Sequence, residues 1–298
     1  MSRGNVVRAA DVAEGALLGE GGQGRVTEVL AIGGLPVRDL VIKRYHDGIA
    51  INPASLTRLV ALRRSMSSVD AAALDAVACW PRAVLVSGDR AVGALLPRVP
   101  ADFTFDLRMP GGGSTATLRE LQFLIADAAL LRRRGIEDPD TVTRLRVLAH
   151  CTEVAAMLHR HGVVLGDLSV KNVLWRAEPE PAVYLVDCDG VRLGGADPVS
   201  PQPNSPGWDD PLFPGTQNQQ SDVYKSALVV LRAVARNFHT RDPEGAAEVL
   251  GRGLMPLLRA SLRAEPGSRP PISAWPEPLL RRAAELRTPT RPEGVTTR

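Results

Sequence analysis

The stretch Gly166-Asp167-Leu168-Ser169-Val170-Lys171-Asn172 decides how this chain is read. Upstream, VTRLRVLAHCTEVAAMLHRHG spaces its apolar residues as a helix and ends in a glycine stop. Downstream, NVLWR and AVYLVD read as short strands around a Glu/Pro-rich turn, and the second runs into Asp187-Cys188-Asp189-Gly190. Asp167 and Asn172 therefore share one loop between helix and strand, with two more carboxylates at the end of the next strand pair. A carboxylate that can orient a hydroxyl, joined by an amide and a second carboxylate that can hold Mg²⁺, is the set phosphoryl transfer requires.

Towards the N-terminus, LLGEGGQGRVTEVLAIG reads as strand, tight turn, strand. Gly19, Gly21, Gly22 and Gly24 occupy the turn, and Val26 opens the second strand. A dinucleotide-binding fold would follow these glycines with a helix, whereas residues 26–31 read as a strand. Backbone amides of such a hairpin can close over phosphates; the same glycines also suit a plain tight turn. The stretch DLVIKRY follows as a third strand and carries Lys43, whose ammonium can reach a phosphate or simply face water.

Residues 53–80 carry helical spacing between Pro53 and Pro81, and AVLVSGDRAVGALL reads as a hairpin. Pro97 and Pro100 mark a change of character. Beyond the GGGST turn the pattern is helical, first in LRELQFLIADAALLRRRG, later over 221–236 and 244–263. Residues 194–220 are a long loop, which in a packed domain is more often functional than incidental. The expected organisation is α+β: a leader over 1–14, a small antiparallel-sheet lobe over 15–97, a mostly helical lobe over 98–275, and a helix end with a flexible tail over 276–298.

Composition narrows the partners. The 36 basic and 33 acidic residues nearly cancel to +3, so no nucleic-acid partner is expected. Cys79, Cys151 and Cys188 are too few and too scattered for a disulfide framework or a four-ligand zinc site. No apolar run reaches membrane-spanning length, and the first residues hold no signal-type apolar region. A cytoplasmic protein without direct membrane insertion is the expectation. Among all the basic residues only Lys43, Lys171 and Lys225 are lysines; a coding bias towards arginine accounts for this, and a lysine retained against such a bias is a candidate for a compact point charge.

Taken together, the glycine turn, Lys43, Asp167 with Asn172, Asp187, and two late elements resemble the protein-kinase-like superfamily, in a divergent bacterial branch of serine/threonine-type kinases, across roughly residues 15–275. The resemblance implies a bilobal kinase-like fold that binds ATP with Mg²⁺ (or Mn²⁺) and phosphorylates Ser or Thr on a protein substrate or partner. Gly19, Gly21, Gly22 and Gly24 would cover the phosphates, Val26 would pack over the adenine, and Lys43 would bind the α- and β-phosphates. Asp167 would be the catalytic-loop aspartate, and Asn172 and Asp187 the metal ligands. Asp222 in Ser221-Asp222-Val223-Tyr224 resembles the aspartate that holds the catalytic-loop backbone. Arg269 resembles the late arginine that pairs with an acid, here Asp209 or Asp210.

Departures from that pattern are specific. The usual HRD reads Leu165-Gly166-Asp167, so the arginine that answers activation-loop phosphorylation is missing. A Gly-Asp-Leu-Ser start also resembles RIO-type atypical kinases, although the full glycine loop fits the ordinary plan better. Lys171, a candidate catalytic residue, lies two residues beyond the position of the usual loop lysine, where Ser169 stands. DFG reads Asp187-Cys188-Asp189, which leaves Asp189 as a metal ligand, a group behind the ligands, or a turn acid. No glutamate lies between Glu28 and Glu120, so the acid expected beside Lys43 is Asp75, or else Asp70. His159 and His161 are expected to cap the helix before the loop, Cys151 to lie in the core, and the runs Arg132-Arg133-Arg134 and Arg281-Arg282 to be solvated faces. Two other functions fit the same residues: a nucleotide-binding pseudokinase scaffold, and a small-molecule phosphotransferase.

Overall fold

The computed structural model describes residues 5–201, 205–215, 217–263, 265 and 267–287. The chain begins with β1 (Val6–Arg8), β2 (Val12–Glu20), β3 (Gly24–Ile32), β4 (Leu35–Pro36) and β5 (Leu40–Tyr45). Helices α1 (Pro53–Ser65) and α2 (Ser68–Val77) follow, then β6 (Ala83–Ser87) and β7 (Arg90–Pro97). These strands form one seven-stranded sheet in the order β1-β6-β7-β5-β3-β2, with β4 on β3. Every pairing is antiparallel except that of β1 with β6.

That exception places a sheet strand inside the span expected as a leader over residues 1–14. Val6, Val7 and Arg8 lie in register with Val84, Leu85 and Val86, and the Val84 N–H donates to Asn5 O at 2.8 Å. Two valines are too short a run to show an alternation, and their partner lies far along the chain, so local pattern carries no trace of the strand.

Alternation along β5 separates the faces of the sheet. Val41 belongs to the large core shared with the helices, and Ile42 to a small cluster with Val29, Ala83, Leu85 and Leu95 on the opposite face. Lys43, two residues after Val41, therefore emerges on the helix side. The first helix starts where Asn52 accepts the Ser55 N–H and Pro53 takes the first position. Its Leu56, Leu59 and Val60 are buried in the same core.

The second half holds β8 (Thr104–Arg108), β9 (Ser114–Leu118), α3 (Gln122–Ile125), α4 (Ala128–Arg134) and α5 (Thr141–Arg160). It continues with β10 (Val163–Val164), β11 (Val173–Arg176), β12 (Ala182–Leu185), β13 (Arg192–Leu193), α6 (Gln219–Ala235), α7 (Ala247–Leu262, kinked at Gly251) and α8 (Pro276–Arg287). The sequence pattern predicts one helix over 118–135, whereas the chain forms two. Ala126 is extended, and the Asp127 carboxylate then accepts the Leu130 N–H at 2.8 Å to start a new helix. The hairpin of β8 and β9 turns on Gly111, Gly112 and Gly113, all at positive φ. The tail expected after the last helix lies outside the described residues.

In α5, Asp140 caps the start, and Leu145, Leu148, Val154 and Leu158 are buried beside Leu228 and Leu231 of α6 and Trp175 of β11. At about 1.5–3 kcal/mol per buried aliphatic side chain, this face rather than intrinsic propensity fixes the helix. Cys151 lies in that core as expected, and burial pushes its thiol up to about 12. Because Leu56 and Val84 join the same cluster, sheet and helices share one core. The result is a mixed α+β domain with an N-terminal sheet and C-terminal helices.

Candidate functional site

Lys43 is only 4% exposed, so its ammonium needs counter-charge. It lies 2.9 Å from Asp189 Oδ2 and 3.0 Å from Oδ1, 3.3 Å from Asp187 Oδ1, and 3.3 Å from Gln23 Oε1. Burial alone would lower its pKa, but Asp189 and then Asp187 outweigh that and hold it raised. The Tyr45 hydroxyl donates to Asp189 Oδ2 at 2.9 Å. Asp189 is 2% exposed and both its oxygens are engaged by these neighbours, whereas half of the Asp187 side chain is open. Asp187 itself adopts φ +55, a conformation unusual for a residue with a Cβ.

This arrangement corrects the expected acid. Asp75 is held by Arg63, with Nε to Oδ1 at 2.6 Å, and by Arg82 Nη1 at 2.7 Å. Against the opposing effect of burial, those guanidiniums keep its carboxyl below the usual range. Asp70 accepts from the Ser67 hydroxyl at the start of α2. Neither faces Lys43, and α1, whose sequence is PASLTRLVALRRS, has no acid to offer. Asp189, for which a metal ligand was one of the expected roles, lies against Lys43 as its counter-ion.

Asp167 forms the other end of the cluster. The Asn172 side-chain amide donates to Asp167 O at 2.9 Å and to its Oδ2 at 3.1 Å. The Ser205 hydroxyl donates to Oδ1 at 2.9 Å. Asn172 is tied to the strand before Asp187, because the Val186 N–H donates to its carbonyl at 3.0 Å. One bonded path therefore runs from Lys43 through Asp187 and Asn172 to Asp167.

Beneath the loop sits Asp222, fully buried in α6. Its carboxylate accepts the Leu165 N–H at 2.8 Å and the Gly166 N–H at 2.9 Å, and lies 3.0 Å from His159 Nε2. His159 thus braces Asp222 rather than capping its helix, whereas His161 does stand at the cap position. One turn further along α6, the buried Lys225 ammonium donates to Gly166 O at 2.7 Å. Desolvation lowers its pKa, with Asp222 and Asp167 opposing. Of the two acids open to Arg269, the buried Asp210 receives its guanidinium as a fork, while Asp209 is exposed.

The glycine turn has a mixed character. Gly19, Gly21 and Gly22 are exposed with open space where a Cβ would stand. Gly24 is buried, and a Cβ there would lie 2.1 Å from Arg44 O, so close strand packing requires it. Val26 is directly opposite Lys43 in the β3–β5 register and therefore shares its face. Lys171 is exposed and acts on Glu120, whose carboxyl burial raises and this ammonium lowers. The described bonds do not bring it to the Lys43 cluster.

Among the described residues, no group of three or more His, Cys, Asp or Glu side chains could hold a metal ion by itself, and no helix is long and apolar enough to cross a membrane. Asn172 and Asp187 carry oxygen donors of the kind Mg²⁺ takes from a protein when phosphates and waters complete its shell. No model of a known protein family matches the chain, and no curated protein matches it.

The sequence reading missed Gln23, Tyr45, Ser205 and the bracing role of His159. Lys225 carried a signal in the rarity of lysine, but no local pattern said where its side chain would go.

Proposed function

We propose that this chain is a protein-kinase-like phosphotransferase, of bilobal plan, that moves the γ-phosphoryl group of ATP to a Ser or Thr hydroxyl of a protein. The observation that carries this reading is the bonded path joining Lys43, Asp187, Asn172 and Asp167, four residues from three separate stretches of the chain. Phosphoryl transfer depends on positioning and on charge stabilisation more than on covalent chemistry, and such a path supplies both.

In this scheme Lys43 holds the α- and β-phosphates, while the open glycine turn covers them with backbone N–H groups. Asn172 and Asp187 would hold Mg²⁺, which neutralises charge on the phosphate oxygens when bound. Asp167 orients the incoming hydroxyl and receives its proton. A bond forms from that oxygen to the γ-phosphorus, and the bond to the β–γ bridging oxygen breaks, its electron pair leaving with ADP. The Ser205 contact supports this assignment, since Asp167 already accepts an aliphatic hydroxyl at 2.9 Å.

The same contact favours a second reading, a nucleotide-binding scaffold, because it engages Asp167 with the chain's own hydroxyl. Incubation of the protein with γ-labelled Mg-ATP and a mixture of protein substrates separates the two. Transfer that is lost in Asp167→Asn and Asp187→Asn is the expected result. Nucleotide binding without transfer, unchanged by either substitution, selects the scaffold; absence of binding overturns both.

A further inference from the structure

We propose that Asp189, seated by Tyr45, is the positioning residue that aims the Lys43 ammonium at a bound phosphate, so that a single turn of chain sets both the phosphate-holding lysine and the metal-holding Asp187. The inference rests on the phosphotransferase reading above and concerns how its nucleotide end is kept in place.

Three observations carry it. Lys43 and Tyr45 are two apart on β5 and so project to one face, where the ammonium and the hydroxyl both meet the Asp189 carboxylate. The centre of the Tyr45 ring lies 5.9 Å from the ammonium, so the ring that carries the hydroxyl on Asp189 also faces the lysine's charge. The Gly190 N–H closes a turn onto Asp187 O at 2.8 Å, and with Asp187 at positive φ this turn points the carboxylates of 187 and 189 at the same lysine. The two ion pairs differ in permanence. Asp187 is half open and makes the longer contact of 3.3 Å, so it can be given over to a metal. Asp189 is sealed in, and it stays with Lys43 when Asp187 is withdrawn. Helix α1 contributes no acid, so the described counter-charge on the lysine comes from this turn.

The test uses the full chain and measures Mg-ATP affinity together with kcat and nucleotide KM in Asp189→Asn, Tyr45→Phe, Lys43→Met and the Lys43→Met/Asp189→Asn pair. A misplaced phosphate-binding group costs about tenfold to a hundredfold. Asp189→Asn is therefore expected to weaken nucleotide affinity by at least about tenfold, and Tyr45→Phe by a few-fold. In the double variant the loss should equal that of Lys43→Met alone, because Asp189 acts only through the lysine. Wild-type affinity in Asp189→Asn, or losses that multiply in the double variant, overturns the proposal. If Asp189→Asn does not fold, Tyr45→Phe decides, and unchanged affinity there has the same force. Absence of nucleotide binding by the unsubstituted chain removes the phosphotransferase reading and this inference with it.

Discussion

Replacing Arg269 by Met leaves the Asp210 carboxylate, 2% exposed, without its counter-ion. The guanidinium also donates to Gln220 O and Arg263 O, each at 2.9 Å, and lies 5.0 Å from the centre of the Tyr224 ring. Breaking a buried ion pair on one side costs about 3–5 kcal/mol, because a bare charge remains in a medium that cannot solvate it. Two stranded carbonyls push Arg269→Met towards the top of that range. Asp210→Asn keeps the arginine on both carbonyls and belongs near the bottom. For a chain of this length about 2 °C of thermal midpoint follows each kcal/mol, so Arg269→Met should lower the midpoint by roughly 8–10 °C. Thermal unfolding followed by tryptophan fluorescence reads this directly. The pair Asp210→Leu/Arg269→Met, which removes both charges, should recover most of the loss. A single variant within about 2 °C of the original, or a double variant as poor as the sum of its parts, would refute the buried-charge argument.

Three further outcomes are expected. Lys225→Met leaves the Gly166 carbonyl unpaired, at a cost of about 1–3 kcal/mol, and should lower phosphate transfer while sparing nucleotide affinity; equal transfer rates in both proteins would sink this role. Gly93→Ala places a Cβ 2.3 Å from Lys43 O, so the β5–β7 pairing must shift at about 1–3 kcal/mol and Mg-ATP affinity should fall with it; an affinity matching the unsubstituted chain would contradict the close packing. His150 Nδ1 accepts the Val183 N–H at 3.0 Å, and burial lowers its pKa below the usual imidazole value. The unfolded chain then binds more protons between the two pKa values, so stability is lost as pH falls from about 6.5 through the folded value. Midpoints compared at neutral and mildly acidic pH should show a shallower loss in His150→Asn, and parallel profiles would count against the assignment.

How much of this was legible depended on distance along the chain. The strands flanking the glycine turn, Lys43 on its strand, and the loop from Asp167 to Asn172 are all fixed by short-range pattern, and each stands where that pattern put it. The partner of Lys43 was not legible. Asp75 looked suitable because it lies in a helix near the lysine in sequence, but two arginines claim it, and the true counter-ion is 146 positions away. Capping chemistry explains another miss, since the extended Ala126 ends one helix and Asp127 starts the next inside a run whose apolar spacing is continuous. His159 and Lys225 share a cause as well. Each points into the centre of the helical half, and only the packing of α5 on α6 brings them to Asp222 and Gly166.

The parallel pairing of β1 has a bearing on handling the protein in solution. Residues 6–8 cover an edge of β6 that carries Val84, Leu85 and Val86, a run with high strand propensity and no charge. Once that cover is stripped, the ladder offers unpaired amides and carbonyls to any extended chain, including another copy of itself. A deletion of residues 5–11 should therefore turn a well-behaved sample into one that self-associates as concentration rises. A lysine placed on the bared strand should slow it.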